Sequence, residues 1–81
     1  MTKSVFSDEY QIFLQSLIQA RKNAGLTQVQ LAKALHKPQS YVSKYENGER
    51  RLDVIETFEI LLTLKIKPHQ FFQNMEKRLL K

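Results

Sequence analysis

Gln39, Ser40, Ser43 and Lys44 fall within six residues, directly after Pro38, and each side chain can donate or accept hydrogen bonds. Such a set suits one kind of chemistry: reading the edges of base pairs. Glutamine can pair with adenine through both amide groups, lysine favours guanine, and serine accepts several partners. Taken singly, each of the four reads equally well as a solvated polar side chain. Their joint placement on one short helix gives them a shared purpose.

That helix needs an inner face and two ends. Val42 and Tyr45 supply a narrow apolar face, Pro38 suits the first helical position because it lacks an amide donor, and Asn47-Gly48 breaks the helix after Glu46. Upstream, Thr27 and Gln30 form a T-x-x-Q capping box for a helix whose Leu31, Ala32 and Leu35 face inward and which ends near Leu35. Residues 27–46 thus outline two short helices joined by a tight turn. The first half of the second helix is the part that meets base edges when such a unit enters the major groove. Gln28, at the start of the first helix of the pair, sits where a side chain and free backbone amides can hold a phosphate. Lys37, Tyr41, Asn47, Arg50 and Arg51 border the same face and are candidates for gripping the sugar-phosphate backbone. The alternative for Arg50 or Arg51 is a weak surface ion pair with Glu49 or Asp53.

The charge distribution agrees with a polyanionic partner. Between Arg21 and Arg51 lie seven basic residues and two acidic ones, while the rest of the chain carries six of each, so the whole net charge of +5 sits in the central segment. Basic charge gathered in this way is the footprint of a phosphate binder.

Three further helices complete the scaffold. Ser7 caps a first helix over roughly residues 8–24, with Tyr10, Phe13, Leu14, Leu17, Ile18 and Ala24 on its apolar side and Gly25 as its stop. Asp53 and Glu56 form a D-x-x-E capping pattern for a fourth helix that turns Val54, Ile55, Phe58, Leu61 and Leu62 inward. Pro68 opens a fifth over residues 68–80, with Phe71, Phe72, Met75, Leu79 and Leu80 at helical spacing. The reading is therefore all-α, with five helices in one domain spanning residues 1–81 and a flexible arm at 1–6.

Composition narrows the class. The 81 residues are 42 % hydrophobic with regular spacing, which suits one small core, and no apolar run approaches the length needed to cross a bilayer. The first ten residues lack the apolar centre of a signal peptide, and there is no cysteine; together these lead us to expect a cytoplasmic protein with no membrane partner. Catalysis is not expected. Ser40 and Ser43 have no nearby base, there is no glycine-rich phosphate loop, and the carboxylates are spread as caps and surface charges. His36 and His69 are the only imidazoles and there is no thiol, so no metal or other cofactor is expected.

The segment from about Leu17 to Phe72 resembles the Cro/lambda-repressor-like, or XRE, helix-turn-helix family, through Arg21, GLTQ at 25–28, LA at 31–32, SYVSKYENG at 40–48 and IKPHQFF at 66–72. The resemblance covers about two-thirds of the chain and implies a five-helix DNA-binding fold. It implies that Gln28 contacts phosphate, that Gln39, Ser40, Ser43 and Lys44 face the major groove, and that Arg21 and Glu46 form an internal ion pair tying the first helix to the reading helix. Two positions depart from the family pattern. His36 replaces the glycine common in the turn, and Lys65 replaces the glycine usual after the fourth helix; histidine tolerates positive φ at modest cost.

The resulting expectation is a sequence-specific regulator of double-stranded DNA, of prokaryotic or phage type, acting as a homodimeric repressor at a palindromic operator. Phe71, Phe72, Met75 and Leu79 on the last helix are the expected dimer contact, unless they merely close the core. An antitoxin that binds a toxin partner and its own promoter, or a restriction-modification controller, remains the alternative.

Overall fold

Helix starts in this chain are dictated by side chains that accept hydrogen bonds from free amides, or by prolines that have no amide to satisfy. The computed structural model describes residues 7–80, and among these the order is α1 (Asp8–Asn23), α2 (Gln28–Ala34), α3 (Gln39–Glu46), α4 (Val54–Thr63) and α5 (Pro68–Leu79), with no strand. Ser7 Oγ accepts from the Tyr10 amide at 3.1 Å to start α1. Both capping boxes are closed: Thr27 with Gln30 at 3.1 and 2.9 Å, and Asp53 with Glu56 at 2.7 and 3.1 Å. Each satisfies two otherwise orphaned amides. Pro68 occupies the first turn of α5 as expected, but Pro38 stands one place earlier than its sequence suggests. With φ −65° and ψ 155° it is the extended N-cap of α3, and Gln39 is the first helical residue.

Four helices end the same way, with one residue in the left-handed region followed by an amide bonded five residues back. The left-handed residues are Gly25, His36, Gly48 and Lys65, with φ of 75°, 59°, 82° and 62°. The closing bonds are Leu26 to Arg21, Lys37 to Ala32, Glu49 to Lys44 and Ile66 to Leu61, at 2.8–3.2 Å. This is the Schellman closure. His36 and Lys65 adopt it without being glycine, so the turn between α2 and α3 keeps its form at the cost of local strain.

The core gathers one face of each helix. Leu17, Leu31, Val42, Tyr45, Ile60 and Leu61 are fully buried, and Phe13 of α1 meets Phe71 of α5 edge-on at 6.3 Å. The Tyr10 hydroxyl accepts from the Leu52 amide at 3.2 Å and ties the start of α1 to the approach to α4. No helix among the described residues is long and apolar enough to cross a membrane.

Three apolar assignments change. Ala24 is the exposed C-cap of α1, and Ala20 and Arg21 take the inner positions. In α4 the buried face is Thr57, Ile60 and Leu61, followed by Leu64, whereas Val54, Ile55, Phe58 and Leu62 are exposed. The cause is that α4 is apolar on nearly every side, so periodicity could not choose a face. Thr57 tolerates burial because its hydroxyl donates to the Asp53 carbonyl at 2.8 Å. In α5, Phe71 is buried in the core and Met75 packs against it, which leaves Phe72, Leu79 and Leu80 outward. Phe71 is thereby withdrawn from the expected dimer contact. The arm expected at 1–6 lies outside the described residues.

Candidate nucleic-acid interface

Burial of Val42 and Tyr45 sets the rotation of α3 and therefore what it shows to solvent. Gln39, Ser40 and Lys44 are exposed along its outer side. Ser43 is half-buried, and its hydroxyl makes a long 3.4 Å contact as donor to the Ser40 carbonyl. Asn47 is the exposed C-cap. Three of the four base-reading candidates thus project outward from one short helix.

Behind this face lies a buried charge network. Arg21 Nε donates to Glu46 Oε2 at 2.8 Å, Arg21 Nη2 to Glu46 Oε1 at 3.2 Å, and Arg21 Nη1 to the Leu26 carbonyl at 2.9 Å. Gln28 Nε2 donates to Glu46 Oε1 at 2.9 Å. One carboxylate at the end of α3 is therefore held from α1 and from the start of α2 at once. Charges this deeply withdrawn persist only when paired, so the network locks the pose of α3 rather than adding much net stability. Beside it, burial pushes the Tyr45 phenol far up from its ordinary value, and the Glu46 carboxylate pushes it further.

On the flank of α3, Tyr41 carries cations on its ring. Lys37 Nζ lies 5.3 Å and the Arg50 guanidinium 5.0 Å from the ring centroid, and the ring meets Tyr45 edge-on at 5.7 Å. Burial raises the Tyr41 pKa, with Glu56 contributing in the same direction, so the phenol stays neutral and can donate to an anion. Arg50 does not pair with Glu49 or Asp53. It forms a fork with Glu56, through Nη2 to Oε2 at 2.6 Å and Nη1 to Oε1 at 3.1 Å. The Arg50 hydrogen bond holds the Glu56 carboxyl below its ordinary value, and the bond from the Asp53 backbone adds to this. Arg51 lies over the Tyr10 ring at 4.1 Å, against α1 rather than in the Tyr41 stack.

The sequence offered no sign of two of these links. The Arg50–Glu56 fork spans six residues across a loop and a helix start, a separation with no helical regularity. Glu56 was legible as a cap, and the same carboxylate serves both tasks. The bond from Gln28 to Glu46 spans eighteen residues and exists only because α2 and α3 pack together. No group of three potential metal-ligating side chains occurs among the described residues. Two grooves, of about 610 and 360 Å³, take none of their walls from α2 or α3.

Residues 17–71 match a family model described as helix-turn-helix. The matched span runs from the middle of α1 to the first turn of α5 and includes the whole of α2, α3 and α4. Among solved structures, the chain is similar to one described as an XRE-family like protein from Pseudomonas syringae pv. tomato str. DC3000. The two are 44 % identical, the overlap covers 88 % of this chain and 89 % of that one, and the TM-score is 0.82. No curated protein matches the chain.

Proposed function

Because the chain belongs to the XRE helix-turn-helix family of DNA-binding domains, we propose that it is a sequence-specific transcriptional regulator, a repressor that binds a palindromic operator as a homodimer. The observation that carries this reading is the outward display of Gln39, Ser40 and Lys44 on α3, with Glu46 of the same helix clamped from behind. A helix whose backbone is fixed in this way meets base edges without having to be reoriented first, so only its exposed side chains need ordering on contact.

The surrounding groups divide by task. Gln39, Ser40, Ser43 and Lys44 read bases; Gln28, Lys37, Tyr41 and Asn47 hold the backbone; Arg50 and Arg51 add positive charge while engaged with Glu56 and with the Tyr10 ring. Gln28 retains a second amide proton for phosphate after bonding Glu46. An eight-residue reading helix covers only a few base pairs. Two copies related by a two-fold axis double the contacts, with half-sites about 34 Å apart along the duplex.

Selection of binding sites from random double-stranded DNA, with footprint length recorded, tests this reading. Enrichment of a two-fold symmetric sequence with half-centres about one helical turn apart is the expected result. Failure to enrich any sequence at moderate salt would overturn it.

A further inference from the structure

The outward face of α4 has no task in the reading above. Val54, Ile55, Phe58 and Leu62 keep 69, 65, 41 and 61 % of their surface exposed, on a helix that buries Thr57, Ile60 and Leu61 on its other side. At 100° per residue, the four lie within an arc of about 100°. They form one stripe. Isolated apolar residues on a surface need no explanation, but a contiguous row of four large ones does.

We infer that this stripe is the surface through which two copies of the chain associate, with the α4 helices antiparallel across a two-fold axis near Phe58. Three features favour a second copy over any other occupant. First, Val54, Phe58 and Leu62 are spaced i, i+4, i+8, a pattern that reads the same in both directions. A two-fold contact requires such self-complementarity: Phe58 meets Phe58 on the axis, and Val54 of each copy meets Leu62 of the other. Second, charge is arranged along the helix in the sense that antiparallel pairing rewards. Asp53 caps the start and Lys65 follows the end, so each acidic end meets the basic end of the second copy, and the helix dipoles oppose. Third, the area comes within reach of what a dimer needs. The four side chains expose on the order of 400 Å² per copy, so pairing removes roughly 800 Å² from the stripe alone, and a rim of a few hundred Å² carries the total past the roughly 1,000 Å² of a specific contact.

The competing surface is weaker. Of the α5 residues expected to pair, Phe71 is in the core and Met75 packs against it, which leaves Phe72 and Leu79, each about as exposed as Phe58 but two side chains against the four of α4. Self-association through α4 bears on the operator reading above, which needs a dimer, but it is measured without DNA, so either proposal can fail alone.

Sedimentation equilibrium of the wild-type chain and of Phe58→Glu and Phe72→Glu is the first arm, with helical content followed by circular dichroism. The wild type is expected to dimerise at micromolar concentration, Phe58→Glu to weaken association at least tenfold with its helical signal intact, and Phe72→Glu to behave as wild type. The second arm uses the absence of native cysteine. Phe58→Cys, placed next to the axis, is expected to give a covalent dimer under mild oxidation far faster than Leu79→Cys, and this readout stands even where the glutamate variant fails to fold. A wild type monomeric at hundreds of micromolar, equal crosslinking of the two cysteine variants, or loss of the dimer in Phe72→Glu alone would each overturn the inference.

Discussion

Gln28 donates through Nε2 to Glu46 Oε1 at 2.9 Å, and that carboxylate is the one that receives the fork of Arg21. The first residue of α2 and the last of α3 are thus joined to α1 through one buried anion. The two halves of the helix-turn-helix are consequently held to each other by more than apolar packing.

Removing either charge strands the other. Arg21→Ala and Glu46→Ala are each expected to lower the unfolding free energy by about 3–5 kcal/mol, because a lone buried charge remains. Gln28→Ala removes one hydrogen bond to a carboxylate and is expected to cost about 1.5–3 kcal/mol at most. Urea titrations of the three variants check the ranking. An unchanged midpoint for Arg21→Ala would show that the network does not hold the fold.

Base-reading and backbone-holding side chains separate in their sequence dependence. Gln39→Ala or Lys44→Ala is expected to cost about 1–3 kcal/mol at the preferred site and to flatten the ranking of sites. Lys37→Ala is expected to weaken all duplexes about equally and to reduce the salt slope of log K by about 1. Binding titrations at several salt concentrations distinguish the two. If both Gln39→Ala and Lys44→Ala preserve the site ranking, the outward side of α3 is not the reading face.

Acid acts on the Arg50–Glu56 fork. Glu56 has a lowered pKa in the folded chain, first through its bond with Arg50, so the unfolded chain takes up its proton at higher pH than the folded one. The fork's contribution is complete above the ordinary glutamate value of 4.5 and is lost as pH falls through the folded value. Melting temperatures of wild type and Glu56→Gln between pH 7 and pH 3 are therefore expected to converge on acidification. A constant difference across that range would show that Glu56 acts only as a cap.

Lys65 stores strain at φ 62° with its side chain in solvent. Left-handed backbone costs a non-glycine residue about 1–2 kcal/mol, and glycine gives back part of the gain in unfolded-state entropy, so Lys65→Gly is expected to stabilise by about 0.5–1 kcal/mol. In a domain of this size that raises Tm by about 2–8 °C. Lys65→Ala keeps the strained φ and is the control that should show no such rise.

Much of the molecule could be read from local signals, for a physical reason. Ser7, Thr27 with Gln30, and Asp53 with Glu56 act within one turn of chain, so their capping needs no tertiary partner to be recognised. Val42 and Tyr45 are legible because, Tyr41 apart, every other residue of α3 is polar, which leaves few ways to bury it. Helix α4 lacked that contrast. With apolar residues on both faces, only packing against α5 and the rest of the shared core selects Ile60 and Leu61 over Phe58 and Leu62.

Local signals along the chain suffice to place five helices, the starts of four of them, the clustering of the positive charge and three of the four side chains expected on the outer side of α3. These follow from capping, periodicity and composition, which act over a few residues. Tertiary structure alone decided that Gln28 reaches Glu46, that Arg50 meets Glu56, that Phe71 is spent on the core and that the stripe from Val54 to Leu62 faces out. Each of these depends on how rigid helices pack against one another. Packing is a property of the whole assembly, since volume filled by one side chain is denied to the next.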